Sequence, residues 1–161
     1  MRLTAATAED TRGIGARLAE QLRAGDLLVL SGDLGAGKTT FTQGLGAGLG
    51  VRGPVTSPTF VISREHPSLV GGPALVHVDA YRLGGLAELD DLDLDNSLED
   101  AVTVVEWGAG VAESLAENWL EVEILRAHGD EAGESRTLRI TGVGPRWAGL
   151  VLTTEPPSSG A

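Results

Sequence analysis

The sequence contains no cysteine, which excludes disulfide bridges, thiolate catalysis and cysteine-ligated metal sites. It has no apolar run near the roughly 18 residues that a membrane-spanning helix needs, and no secretory signal follows Met1. Cations are scarce, because 12 Lys and Arg stand against 23 Asp and Glu for a formal net charge of -11. Direct binding to nucleic acid depends on clustered cations, so we expect none. We predict a cytoplasmic protein.

The chain is long enough for one domain and too short for two. Its 161 residues, of which 42% are hydrophobic, can close a single core without a metal or disulfide. No internal repeat and no linker divides the sequence. We therefore predict a single domain over residues 1–152 and a disordered tail over residues 153–161.

The apolar pattern predicts helices alternating with buried strands. Helical spacing predicts an amphipathic helix that begins after Thr7 and ends before Gly25. Continuous short apolar runs are typical of parallel strands that are covered on both faces. Two later segments with period-2 alternation predict an antiparallel hairpin. The core strands are expected at Leu27–Leu30, Leu75–Asp79 and Val102–Glu106, and the hairpin strands at Trp119–Leu125 and Arg136–Thr141.

The chain has a single lysine, and it lies in the glycine-rich segment SGDLGAGKTT, residues 31–40. The segment fits the pattern G-x-x-x-x-G-K-S/T between a predicted strand and a predicted helix. Its glycines let successive backbone N–H groups point at phosphate oxygens, and the helix dipole adds to this cradle. We expect Lys38 to reach the β- and γ-phosphates and the Thr39 hydroxyl to bind Mg²⁺. The predicted nucleotide-binding residues are Gly32, Asp33, Leu34, Gly35, Ala36, Gly37, Lys38, Thr39 and Thr40.

Two carboxylates end predicted core strands, Asp79 and Glu106. The end of a core strand is where P-loop proteins place the carboxylate that holds Mg²⁺, so we predict Thr39, Asp79 and Glu106 as metal-side residues. One carboxylate would hold the metal and the other would orient or deprotonate the attacking water, but spacing does not assign these roles. A solvated or turn-capping carboxylate is the alternative reading. His77 is expected to be a hydrogen-bonded core residue, because Mg²⁺ prefers oxygen ligands.

Three functions built on a phosphate-binding loop remain open at this point. A small-molecule or nucleoside kinase usually needs arginines in a lid, and the arginines here are scattered. A GTPase generally reads guanine with an Asn-Lys-x-Asp element, which a chain with its single lysine in the loop lacks. The pattern therefore favours an ATPase with Lys38, Asp79 and Glu106 as catalytic residues, and the kinase stays as the alternative.

Four motifs, GDLGAGKTT, VTSPTF, HVDAYRL and EW, occur in this order and resemble the TsaE family of small P-loop ATPases. That family serves the bacterial biosynthesis of threonylcarbamoyladenosine in tRNA. The resemblance implies that Trp107 lies near the bound nucleotide and that Thr56, Ser57 and Thr59 belong to a loop that senses it. It also implies that ATP turnover acts on a larger complex with the TsaD and TsaB proteins, so that tRNA is met only through that complex. Many relatives have a proline and an acidic or amide residue after Glu-Trp, whereas this chain has Gly108 and Ala109.

These observations combine into one expectation. We predict a three-layer α/β domain of the P-loop type, with a mixed, mainly parallel central sheet and C-terminal antiparallel strands. It would bind ATP and Mg²⁺ and hydrolyse ATP slowly. The sequence offers no evident arginine finger, so a partner or a moving loop would complete the site.

Overall fold

A computed structural model describes residues 2–32, 37–51, 63–79, 100–106, 117–126 and 135–150 of the chain. Within these ranges no helix is long and apolar enough to cross a membrane. The described elements alternate between strands and helices up to α2, and strands predominate after it. They are β1 (Arg2–Ala5), α1 (Ala8–Ala19), β2 (Leu27–Gly32), α2 (Lys38–Leu49), β3 (Ser63–His66), β4 (Ala74–Asp79), β5 (Ala101–Glu106), β6 (Trp119–Arg126), β7 (Arg136–Val143) and a 3-10 helix (Pro145–Trp147).

All seven described strands form one sheet in the order β1-β7-β6-β2-β5-β4-β3. The central strands β6, β2, β5 and β4 are parallel, β3 and β7 run the opposite way, and β1 is antiparallel to β7. Five strands therefore point in one direction, and the prediction of a mixed, mainly parallel sheet is confirmed. The predicted C-terminal hairpin is confirmed as well, since Trp119 pairs with Val143 and Arg126 with Arg136.

The first helix begins where the sequence predicts and ends earlier. The Thr7 hydroxyl accepts a hydrogen bond from the Asp10 N–H at 3.1 Å, which caps one of the unpaired amides at the start of α1. The helix ends at Ala19, well before Gly25, and Leu22 lies in the turn that follows. Leu22 is nevertheless buried in the core, so the helical repeat of apolar residues continues past the end of the helix itself.

The two helices are in direct backbone contact through glycines. A Cβ atom on Gly44 would collide with the carbonyl oxygen of Arg12, and one on Gly48 would lie 2.6 Å from the carbonyl oxygen of Ala16. By propensity alone the glycines of α2 only cost helix stability. The structure adds a reason for them, because any side chain at Gly44 or Gly48 would force α2 away from α1.

Both faces of the central strands β2, β4 and β5 are buried. Leu28 and Leu30 of β2 belong to the same apolar cluster as Ile14 of α1 and Phe41 of α2. Side chains on the opposite face of the sheet are buried too, among them Leu27, Val29, Val76, Val78 and Val105. Burial on both faces explains why these strands read as continuous apolar runs in the sequence.

Two edge strands were not predicted from the sequence. β1 has only four residues, of which Leu3 and Ala5 are buried, and it pairs with β7. β3 is equally short and pairs with β4. The predicted tail over residues 153–161 lies outside the described residues.

A buried ion pair ties the C-terminal segment to the turn before β2. The Arg146 guanidinium donates to both carboxylate oxygens of Asp26, at 3.2 and 3.0 Å, and to the carbonyl oxygen of Gln21 at 2.7 Å. The Arg146 backbone N–H donates to the Asn118 side chain at 3.0 Å, and the guanidinium lies 4.1 Å from the centre of the Trp147 ring. Asp26 is 5% exposed, and its carboxylate also accepts from the Arg23 backbone N–H at 2.8 Å, so among the described residues Arg146 is its counter-ion.

Replacement of Arg146 by Ala is expected to lower the free energy of unfolding by about 2 kcal/mol, because it leaves the Asp26 carboxylate buried without its counter-ion. This is less than for a fully buried pair, since the Arg146 side chain is 22% exposed. Urea unfolding measures the loss. The matched control is Arg139→Ala, which removes the exposed pair with Glu123 and should change stability by less than about 0.5 kcal/mol. Equal losses in the two variants would contradict the role assigned to Arg146.

Candidate functional site

The carboxyl ends of three parallel strands meet at one edge of the sheet. In the register of the sheet, Leu30 of β2 lies beside Glu106 of β5, and Glu106 lies beside Asp79 of β4. β2 ends at Gly32, and α2 begins at Lys38. The structure therefore brings the described part of the glycine-rich segment and the two strand-end positions, Asp79 and Glu106, to the same edge, where ligands bind in open α/β sheets.

The Lys38 side chain reaches back to the end of β2. It is the first residue of α2, and its Nζ donates a hydrogen bond to the carbonyl oxygen of Gly32 at 2.6 Å. The backbone before it is left-handed at Gly37, with φ 107°, a conformation that favours glycine. The side chain is only 8% exposed, so the ammonium is held against the segment rather than extended into solvent.

The first turn of α2 is suited to an anion. Its residues are Lys38, Thr39 and Thr40, and Gly37 at the cap position has no side chain to accept from their amides. The first amides of a helix have no partner within the helix, and the dipole makes this end positive. α1 differs, because Glu9 and Asp10 supply negative charge at its first turn. The positive end of α2 therefore faces the sheet edge without an acidic residue in its first turn.

Glu106 is a buried carboxylate with a histidine partner. Its exposed fraction is 5%, and its Oε1 lies 3.1 Å from Nε2 of His77, which is fully buried on β4. The expectation that His77 is a hydrogen-bonded core residue is confirmed. Its partner could not be found from the sequence, since the contact depends on the register between β4 and β5.

Several predicted residues lie outside the described ranges, and their roles stay predictions. They are Asp33, Leu34, Gly35, Ala36, Trp107, and the three loop residues Thr56, Ser57 and Thr59. Asp79 is placed by its backbone, at the last position of β4 and in register with Glu106. Thr39 and Thr40 are half-buried in the first turn of α2.

A family model described as "Threonylcarbamoyl adenosine biosynthesis protein TsaE" matches residues 5–137. The chain belongs to the TsaE family. This confirms the resemblance that the four motifs carry. The family match also covers more of the chain than the four motifs do, because it continues past Glu106 through β6 and into β7.

Relatives of the TsaE family support the assignment along most of the chain. A tRNA threonylcarbamoyladenosine biosynthesis protein TsaE from Streptomyces coelicolor is 67% identical over 138 residues, which cover 85% of this chain and 93% of that protein. The protein of the same name from Bacillus subtilis is 41% identical over 140 residues, covering 86% and 84%. The crystal structure of YdiB from Bacillus subtilis matches with a TM-score of 0.70 at 34% identity, over 92% of this chain and 88% of that one. The α/β fold class is thus confirmed.

The oxygen donors that this TsaE chain places at the sheet edge fit a hard divalent cation. Thr39 carries a hydroxyl, and Asp79 and Glu106 carry carboxylates, which are the donors that Mg²⁺ prefers. Mg²⁺ in nucleotide sites commonly takes one or two protein ligands and keeps several waters. The buried carboxylate of Glu106, at a strand end beside the glycine-rich segment, matches that requirement.

Proposed function

We propose that this chain binds ATP with Mg²⁺ at the segment between β2 and α2 and hydrolyses it slowly, in support of the complex that installs threonylcarbamoyladenosine in tRNA. The observation that carries the nucleotide site is the position of the Lys38 ammonium, which bonds to the Gly32 carbonyl at the end of β2 and lies at the positive end of α2. Membership of the TsaE family carries the link to tRNA modification.

In this proposal the backbone amides of the loop and the Lys38 side chain bind different parts of the triphosphate. Backbone amides from Gly32 to Thr40 donate to phosphate oxygens, and Lys38 donates to the β- and γ-phosphates. An ammonium has three donors, so Lys38 can keep its bond to the Gly32 carbonyl while it donates to phosphate. That bond would aim the ammonium along the segment before the nucleotide arrives.

The strand-end carboxylates act on the other side of the nucleotide. Thr39, Asp79 and Glu106 would hold Mg²⁺, which when bound offsets the charge of the β- and γ-phosphates. One of the two carboxylates orients the attacking water or accepts its proton. The low exposure of Glu106 limits competition from bulk water for its carboxylate.

Turnover by the chain alone is expected to be slow, and partners are expected to raise it. The sequence offers no evident arginine finger to stabilise charge in the transition state. We propose that the TsaD and TsaB proteins form the complex in which ATP turnover is used. Because the net charge of this chain is -11, tRNA would be contacted by those partners rather than by this chain.

Calorimetry with MgATP and a phosphate-release assay test this function. We expect binding of MgATP by the purified chain, slow release of phosphate, and faster release when TsaD and TsaB are added. Folded protein that gives no heat of binding with MgATP would overturn the nucleotide site. Transfer of the γ-phosphate to a metabolite instead of water would favour a kinase.

Replacement of Glu106 by Gln is expected to lower kcat for ATP hydrolysis by about a hundredfold, because a general base or metal-side carboxylate is lost. Gln keeps the size of the side chain and an oxygen that can accept from His77. Binding of ATP without Mg²⁺, measured by calorimetry in a chelator, should be unchanged. Glu121→Gln, on the exposed side of β6, is the control and should turn over like the parent. Unchanged turnover in Glu106→Gln would reduce that residue to a structural role.

A further inference from the structure

His77 lies on β4, two positions before the strand ends at Asp79. It is next to the candidate site but is not among the predicted site residues. In the sheet, His77 is in register with Val104, and the following pair on this face is Asp79 with Glu106. The imidazole therefore reaches diagonally across the β4–β5 pair, and its Nε2 lies 3.1 Å from Glu106 Oε1. We propose that His77 is a positioning residue, which fixes the direction of the Glu106 carboxylate at the ATP site. This rests on the function proposed above.

The contact joins one ring nitrogen of His77 to one oxygen of Glu106. When Glu106 is a carboxylate it only accepts hydrogen bonds, so the ring then donates through Nε2–H. The other ring nitrogen, Nδ1, is buried and has no hydrogen-bond partner among the described residues. Among the described residues, Glu106 is thus the one hydrogen-bond partner of the imidazole.

Burial makes this contact directional. His77 is fully buried on the same face of the sheet as Leu75 and Val104, and Glu106 is 5% exposed. A hydrogen bond in such surroundings is stronger than one in water, and packing leaves the ring little freedom to turn. Since Oε1 is held by Nε2–H, the plane of the carboxylate is set, and so is the direction of Oε2. Groups that orient a metal-side or catalytic carboxylate in this way typically affect metal affinity or activity 10- to 100-fold.

The test compares three variants of the full chain. His77→Leu removes the donor and keeps an apolar side chain in the strand. His77→Gln keeps an N–H near the position of Nε2. Val76→Ala is the matched control, since Val76 is buried at the adjacent position of β4 and points to the other face of the sheet. Thermal unfolding of each nucleotide-free variant shows how much stability it has lost.

The readouts are the Mg²⁺ concentration for half-maximal ATP binding, ATP binding in a chelator, and kcat. For His77→Leu we expect the required Mg²⁺ to rise, or kcat to fall, by at least about tenfold. Binding in the chelator should stay as in the parent, because the loop and Lys38 are untouched. His77→Gln should recover most of the loss, and Val76→Ala should match the parent even where its melting temperature falls as far as that of His77→Leu.

Two results would overturn the proposal, and they are distinguishable. If the parent binds MgATP and His77→Leu matches Val76→Ala in Mg²⁺ dependence and kcat, then His77 only stabilises the fold and the proposed function stands. If the folded parent binds no MgATP, then the proposed function fails and the positioning role fails with it.

Discussion

Replacement of Lys38 by Ala is expected to lower kcat/KM for ATP hydrolysis by at least about a hundredfold, because it removes the charged donor expected at the β- and γ-phosphates. No other lysine exists in the chain to substitute for it. The amine also bonds to the Gly32 carbonyl at 2.6 Å, so its loss would loosen the segment that forms the cradle. Phosphate release over a range of ATP concentrations measures the effect.

Two further measurements separate loss of charge from loss of packing at Lys38. Lys38→Met keeps the apolar stem of this largely buried side chain and removes only the charge, so it should lose as much activity as Lys38→Ala and less stability. Amine modification followed by mass spectrometry uses the fact that Lys38 is the single lysine. MgATP should protect Lys38 from modification and leave the terminal α-amine unprotected. Parent-like turnover in Lys38→Ala would remove the mechanism proposed here.

Replacement of Gly44 by Ala is expected to lower the free energy of unfolding by about 3 kcal/mol, although Ala is the better helix former. The added Cβ would collide with the carbonyl oxygen of Arg12, and it would lie 2.8 Å from the Arg12 carbonyl carbon and 3.0 Å from its Cα. These are backbone atoms, so they cannot move aside as a flexible side chain would. Relief requires α2 to shift away from α1, which opens the apolar cluster between the helices and the sheet.

Gly13→Ala is the matched control for Gly44→Ala. Gly13 lies in α1, and the only described atom that a Cβ there would meet is the end of the Arg17 side chain, at 3.8 Å. Its replacement should raise the free energy of unfolding by roughly 0.5–1 kcal/mol through helix propensity alone. Urea unfolding of the two variants measures the difference. A Gly44→Ala protein as stable as Gly13→Ala would mean that the two helices do not pack as closely as described.

Elements with a strong local pattern could be predicted from the sequence. The buried strand, glycine-rich segment and helix from Leu27 to Leu49 follow one another along the chain, and each has its own local signal. The hairpin of β6 and β7 was likewise evident from alternation in two neighbouring segments. β1 and β3 were missed, because four-residue edge strands have too few residues to show a period.

The candidate site, too, was predicted from the sequence only in part. Lys38, Asp79 and Glu106 were predicted from a motif and from strand ends, and their roles stay predictions. The pairing of His77 with Glu106 was not predicted, since their separation of 29 residues is bridged only by the register of two parallel strands. The packing role of the glycines of α2 also follows only from their contacts with α1.

The sequence by itself determined the class of fold and the positions of the core strands and of the hairpin, because propensity, periodicity and glycine spacing act between near neighbours in the chain. Only the tertiary structure decided which distant residues meet. Arg146 reaches Asp26 across 120 positions, and the Lys38 ammonium bonds to the carbonyl oxygen of Gly32 at the end of β2. Such contacts depend on how the strands register and how closely the helices approach, and these are set by packing of the whole core.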